Sequence, residues 1–181
     1  YKGTPPSLRA ILDMGRAFGE KEFIVYEGER LTYENHYRAA MAFGRVLSEK
    51  YGVKKGDRVA LVMRNFPEWS VVFWAVAAIG GVIVPLNAWG TGPELEYGIS
   101  DSGSKVVIVD HERLDRIRPH LKALGLNGLV AVRTPEDELG VAESFETLVG
   151  KPADYAKLSG DPLPDPGLDP EDDAATLYTS G

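Results

Sequence analysis

Arg58-Val59-Ala60-Leu61-Val62-Met63, then Asn65-Phe66-Pro67-Glu68, a charge-free run from Trp69, Gly80-Gly81 and Val82-Ile83-Val84-Pro85-Leu86 form the stretch that decides the fold. The first run is apolar on successive residues, the pattern of a strand covered on both faces of a parallel sheet. Asn65 to Glu68 open a helix with Pro67 suited to its first turn, and Gly80-Gly81 closes it before a second buried strand. From Trp69 to Val84 there is no charge, but this run is shorter than the roughly 20 residues a membrane-spanning helix needs. Gly80-Gly81 and Pro85 interrupt it as well. A buried helix and a buried strand therefore account for it, with Trp69, Phe73 and Trp74 expected to pack in the core beside Ala75, Ala77 and Ala78.

Working outward, Phe23-Ile24-Val25-Tyr26 and Arg30-Leu31-Thr32-Tyr33 flank Glu27-Gly28-Glu29 and predict a β-hairpin. Thr32 then caps a helix on which Tyr37, Ala40, Met41, Gly44, Leu47 and Tyr51 recur at helical spacing, with Gly52 as its stop. Lys54-Lys55-Gly56-Asp57 turns the chain into the strand at Arg58. Downstream, Pro93 to Ile99 predicts a short helix, Lys105 to Val109 a buried strand, and Glu112 to Leu124 an amphipathic helix ending at Gly125. Leu129 to Val132 predicts another strand and Ser144 to Val149 a helical turn. The alternation indicates an α/β fold, a mainly parallel sheet flanked by helices with a small β-hairpin near the N-terminus.

The character changes at Lys151. Pro152, Pro162, Pro164, Pro166 and Pro170 stand among Asp161, Asp165, Asp169 and Asp173, which predicts an extended, solvated crossing. The chain thus divides into an α/β subdomain (1–150), a crossing (151–173), and a strand with the start of a loop (174–181) that belongs to a second sheet or a neighbouring subdomain. The start, Tyr1-Lys2-Gly3-Thr4-Pro5-Pro6, has no basic-then-apolar signal pattern and reads as a processed end.

The 181 residues are 44% hydrophobic and 26% charged, the composition of a globular protein with room for a sizeable core. With no cysteine, disulfides, thiolate nucleophiles and cysteine-based zinc sites are excluded, which fits a cytoplasmic location. A net charge of −7 argues against nucleic acid as a partner. A nucleotide remains open, because backbone donors can hold an anion locally.

Most catalytic motifs are absent. No G-x-G-x-x-G follows a predicted strand, there is no Walker loop, and Gly90-Thr91-Gly92 reads as a flexible connection. Ser102, Ser104 and Ser180 lack the flanking glycines of a nucleophile elbow. His36, His111 and His120 have no helix-spaced partner of the H-E-x-x-H kind and are expected in surface or capping roles.

Tyr178-Thr179-Ser180-Gly181 follows Asp172-Asp173-Ala174-Ala175-Thr176-Leu177, an acidic-to-apolar run suited to a short strand delivering a small polar turn. Such a turn can set amides and hydroxyls against phosphate oxygens. This turn completes an ordered series: Leu31-Thr32-Tyr33, Gly52 to Ala60, Asn65-Phe66-Pro67-Glu68, Gly80 to Asn87, Glu94-Leu95-Glu96-Tyr97, Asp101-Ser102, and Tyr178 to Gly181. Over nearly its whole length the chain resembles the N-terminal part of the AMP-forming acyl-CoA synthetases, the adenylate-forming family that includes luciferases and peptide-synthetase adenylation domains. Pro85-Leu86-Asn87 with Glu94-Leu95-Glu96-Tyr97 after it is most similar to bacterial fatty-acyl-CoA ligases.

The resemblance implies that a carboxylate, here a fatty acid, attacks ATP to give an acyl adenylate and pyrophosphate, after which CoA takes the acyl group. It implies Mg²⁺ as well. It also implies that Thr179, Ser180 and Gly181 begin a loop continuing as Thr-Thr-Gly-x-Pro-Lys-Gly, which encloses the β- and γ-phosphates. The loop lysine, the metal-binding acid, the ribose-binding Asp and the domain with the catalytic Lys would lie beyond Gly181, so the chain alone is expected to be inactive. It is also expected to self-associate through an unpaired sheet edge. A stand-alone α/β binding module, or an adenylation domain loading a carrier protein, are the other readings.

Overall fold

The structure, a computed structural model, describes residues 5–179. It begins with α1 (Leu8–Gly15), where Ser7 caps the first turn by accepting from the Ala10 amide at 3.1 Å. This helix has no counterpart in the sequence reading. The hairpin follows as β1 (Glu22–Tyr26) and β2 (Glu29–Thr32), with Glu27 in the turn at a left-handed φ of 49°. The Thr32 hydroxyl caps α2 (Tyr33–Arg45) by accepting from the Asn35 amide at 3.2 Å, and the helix runs on through a π-helical turn to Lys50.

The central unit is β3 (Arg58–Val62), α3 (Pro67–Ala78) and β4 (Val82–Pro85), with Pro67 in the first turn as the sequence requires. Next come α4 (Gly92–Asp101), β5 (Val106–Asp110), α5 (His111–Ile117) and α6 (Leu121–Leu124). The single helix expected over Glu112–Leu124 is divided at a 3₁₀ turn, Arg118–His120, because Pro119 lacks an N–H and its ring crowds the preceding turn. Gly52 and Gly125, at φ 69° and 55°, end the two helical segments as read. The chain closes with β6 (Gly128–Val132), β7 (Glu143–Ser144), α7 (Phe145–Leu148) and a 3₁₀ turn at Pro152–Lys157.

Five strands form one parallel sheet in the order β4-β3-β5-β6-β7, beside the antiparallel hairpin. The α/β architecture is thus the one the sequence indicates. Alternate residues of each strand serve opposite faces. Val59, Leu61, Ile83, Val106, Ile108, Val130 and Val132 pack with α2 and α3, whereas Ala60, Val62, Val107, Val109, Leu129 and Ala131 pack with α4, α5 and α6. This two-sided burial is why the strands are apolar on successive residues. Trp69, Phe73 and Trp74 are only partly buried and flank the first cluster, Trp69 stacking on Phe73 at 5.7 Å. No helix among the described residues is long and apolar enough to cross a membrane.

The crossing is extended, but it is docked and not simply solvated. Leu163 is buried between α2 and α3, and Arg38 donates to the Leu158 carbonyl at 2.8 Å. Where the sequence reading has a strand of a second sheet, Ala175 makes one parallel bridge to Ile83 on the outer edge of β4. The Ile83 amide donates to Ala174 at 3.0 Å and the Thr176 amide to Ile83 at 2.9 Å.

Candidate functional site

In this strand order the chain moves outward from β3 to β4 and then returns to the other side of β3 as β5. The carboxyl ends of β3 and β5 therefore face each other at a topological switch point, where open parallel sheets form their ligand crevice. Three loops meet there: Met63–Phe66 after β3, Leu86–Thr91 after β4, and the start of α5 after β5.

Asp110, at the end of β5, joins two of them. Its carboxylate is buried, accepting from the Arg113 amide at 3.0 Å as the cap of α5 and from the Arg64 amide at 2.9 Å. Arg113 lies folded back over it, 1% exposed, with Nη1 3.3 and 3.4 Å from the two carboxylate oxygens. Arg113 also brings in the third loop, since its Nε donates to the Ala88 carbonyl at 2.6 Å. Arg116 adds bonds to the carbonyls of Ala88 at 3.2 Å and Gly90 at 2.9 Å.

This lacing holds Trp89 out from the loop. The indole is 66% exposed, with the guanidinium carbons of Arg64 and Arg113 4.9 and 5.5 Å from its ring centroid. Both guanidiniums lie over the ring, a cation–π cluster whose exposed indole surface suits stacking of a planar group beside Arg64. Arg113 Nη2 is buried and has no hydrogen-bond partner among the described residues. Gly90-Thr91-Gly92, expected to be a flexible connection, is instead an ordered cap: the Thr91 amide and hydroxyl donate to Glu94 Oε2 at 2.7 and 2.9 Å. Asp110 is committed to three donors, so its role is structural.

A polar cavity of about 860 Å³ lies at the carboxyl ends of β6 and β7, lined in part by Glu29, Glu68, Arg133, Ser144 and Glu146. Glu68, 1% exposed on α3, is held by Arg133 Nε at 3.1 Å to each oxygen, and burial raises its carboxyl above the usual range despite that partner.

The histidines take three different environments. His36 is buried, contrary to the surface or capping role expected of it: its Nε2 lies 3.0 Å from Ser70 Oγ, and Phe23 packs edge-on at 4.8 Å. Desolvation lowers its pKa to about 4, so the ring is neutral. His111 lies at the start of α5 against Glu138 at 2.6 Å, and His120 contacts Glu96. Among the described residues no three His, Cys, Asp or Glu side chains gather to hold a metal ion.

Of the predicted phosphate turn, Thr179 is described and exposed, while Ser180 and Gly181 lie outside the described residues. Tyr178 before it donates to Asp101 Oδ2 at 2.7 Å, at the end of α4. Asp110, Arg113 and Trp89 are absent from the sequence reading. An Asp closing an apolar strand just ahead of a helix is an N-cap signal that could have located Asp110, whereas no such signal marks Arg113. Nothing local marks Trp89.

A sequence model of the family described as AMP-binding enzyme matches residues 13–181. The chain is 30% identical to 4-hydroxybutyrate--CoA ligase 2 of Metallosphaera sedula, an alignment covering 100% of this chain and 34% of that protein. It is 35% identical to the long-chain-fatty-acid--CoA ligase FadD13 of Mycobacterium tuberculosis, over 84% of this chain and 27% of that protein. The chain thus spans about a third of the length of these relatives. Among solved structures, the anthranilate CoA ligase AuaEII in complex with anthranoyl-AMP superposes with a TM-score of 0.85 at 22% identity, covering 98% of this chain and 33% of that one. At that identity the likeness is one of fold.

Proposed function

The chain belongs to the AMP-binding enzyme family, and from that premise we propose that it is the N-terminal third of an ATP-dependent fatty-acyl-CoA ligase. In the reaction a fatty-acid carboxylate attacks the α-phosphate of ATP, the bond to the β-phosphate oxygen breaks, and acyl adenylate and pyrophosphate result. The CoA thiol then displaces AMP to form the thioester. The observation that carries this reading is the family match over residues 13–181 together with 35% identity to a fatty-acid CoA ligase.

Residues 1–150 are then the first subdomain, 151–173 the crossing, and 174–181 the way into a second subdomain, with Thr179, Ser180 and Gly181 as donors to the leaving pyrophosphate. The Trp89 ring and Arg64 at the switch point support a nucleotide portion of a substrate at that edge, where a base stacks and a phosphate meets the guanidinium. The chain by itself holds too little of the machinery to adenylate.

The test is ATP–pyrophosphate exchange by the protein in which this chain continues past Gly181, with carboxylates from 4-hydroxybutyrate to palmitate. Exchange that requires a fatty acid, with AMP released once CoA is added, is expected. A gene that stops at Gly181, or release of ADP in place of AMP, overturns the reading. Trp89→Ala is expected to weaken nucleotide binding about tenfold, roughly the loss of one stacking partner, with no change in Tm.

A further inference from the structure

Arg9 lies on α1, at the far end of the sequence from the phosphate turn, yet its guanidinium reaches the crossing. The side chain is 10% exposed. Nη1 donates to the Pro164 carbonyl at 2.7 Å and to Ala78 at 3.5 Å, and Nη2 donates to the Leu163 carbonyl. Its nearest carboxylate, Asp13, is 3.9 Å away and half exposed, so carbonyl dipoles stabilise most of this buried charge.

These carbonyls need an outside donor. Pro162, Pro164 and Pro166 offer no N–H for a ladder, so the crossing is fixed by side chains and not by sheet pairing. The attachment points follow in order. Leu163 is buried against α2 and α3, Lys55 donates to Gly167 and pairs with Asp172, both at 2.7 Å, and Ala174 and Thr176 then bond Ile83. Arg9 is the most buried of the cations along this path, and it acts ten residues before the bridge to β4 begins.

We propose that Arg9 is a positioning residue for the terminal segment. By fixing Leu163 and Pro164 it sets where Ala174–Thr176 meet Ile83, and so the direction in which the chain leads on to Thr179. The consequence for pyrophosphate rests on the proposed ligase function; the consequence for the bridge does not.

The Thr176 amide is the reporter, read by NMR-detected hydrogen exchange on this chain with the β5 amides as reference. Arg9→Ala is expected to speed Thr176 exchange at least tenfold with the β5 amides unchanged. Arg9→Lys, which keeps the charge but reaches fewer carbonyls, is expected to fall between it and the parent, and Asp13→Ala to leave Thr176 unaffected. An unchanged Thr176 amide, or equal acceleration in β5, overturns the proposal. Should Arg9→Ala fail to fold, Arg9→Lys decides on the same criterion. In the longer protein, Arg9→Ala is expected to raise KM for ATP at least fivefold, leave KM for the carboxylate unchanged, and be partly rescued by Arg9→Lys. An unchanged KM for ATP there overturns the positioning role. Absence of exchange in the parent protein counts against the ligase reading, and the Thr176 result then decides the role of Arg9.

Discussion

Leu163 Cδ1 lies 2.6 Å from where a Cβ on Gly44 would stand, with the Ala75 carbonyl and Ile79 Cγ2 at 3.4 Å around the same point. The crossing thus inserts a leucine at the contact of α2 and α3, where only a glycine leaves space. Alanine at position 44 would gain up to about 1 kcal/mol of helix propensity but overpack the contact by about 1–3 kcal/mol. Gly44→Ala is expected to destabilise by about 1 kcal/mol in urea unfolding. In a Leu163→Ala background the same change becomes neutral or stabilising, because the clashing methyl is gone. Equal effects in both backgrounds would show that Leu163 does not set the contact.

His36 makes stability fall with acid. Burial lowers its pKa to about 4, whereas in the unfolded chain the ring titrates near 6.5. The fold therefore favours neutral imidazole. This contribution is complete above about pH 6.5 and declines as pH falls toward 4, a loss of about 3 kcal/mol in total. Carboxylates titrate in part of the same window, so the measurement is a difference: unfolding free energy of the parent minus that of His36→Gln at pH 7, 5.5 and 4. The difference should shrink steadily with acid. A constant difference would place the ring in a solvated setting.

The histidine also marks where the sequence ran out. Val59 to Met63 was legible because burial on both faces leaves no polar position within the strand, and Thr32 because a cap is written in one residue. The break at Pro119 follows from the same local chemistry, and only the continuing apolar pattern of Leu121 and Leu124 hid it. His36 differs: it stands among polar neighbours on α2, and what buries it, Ser70 and Phe23, comes from two other elements. Asp110, Arg64, Arg113 and Ala88 meet only because β3, β4 and β5 end side by side, so no spacing along the chain encodes the candidate site. Thr179, in contrast, was named from a small polar turn and from the resemblance, and the structure gives it an exposed position.

Glu68 and Arg133 are expected to be worth most when only one is removed. Arg133→Ala leaves a carboxylate that is 1% exposed without the guanidinium that contacts both its oxygens, a loss of up to about 3 kcal/mol, the low end for a broken buried pair because the Arg133 side chain is 27% exposed. Adding Glu68→Gln removes the stranded charge and should recover much of that loss. Because burial raises the Glu68 carboxyl, the fold binds its proton more readily than the unfolded chain does. The penalty in Arg133→Ala should therefore ease as pH falls from 7 to 5. Denaturant unfolding of the two single variants and the double variant at both pH values measures this. Additive losses would mean that the two groups do not compensate each other.

The last prediction concerns Thr179 and Ser180 in the protein that continues past Gly181, and it rests on the proposed ligase reaction. As pyrophosphate departs, negative charge grows on its oxygens, so a hydroxyl donor aimed there stabilises the transition state more than bound ATP. Removing one such donor costs on the order of 10²–10³ in kcat. Thr179→Ala and Ser180→Ala are therefore expected to slow ATP–pyrophosphate exchange by a factor of that order, while KM for the carboxylate stays within about twofold. Thr179 is exposed, so its replacement should leave stability within about 0.5 kcal/mol, which separates a chemical effect from an unfolded protein. If the proposed loop continues past Gly181, the 181-residue chain alone should give no exchange, because in-line positioning of the carboxylate and the remaining phosphate donors would then be supplied by later sequence. Full exchange by both alanine variants, or exchange above background by the chain alone, would put the phosphate site elsewhere.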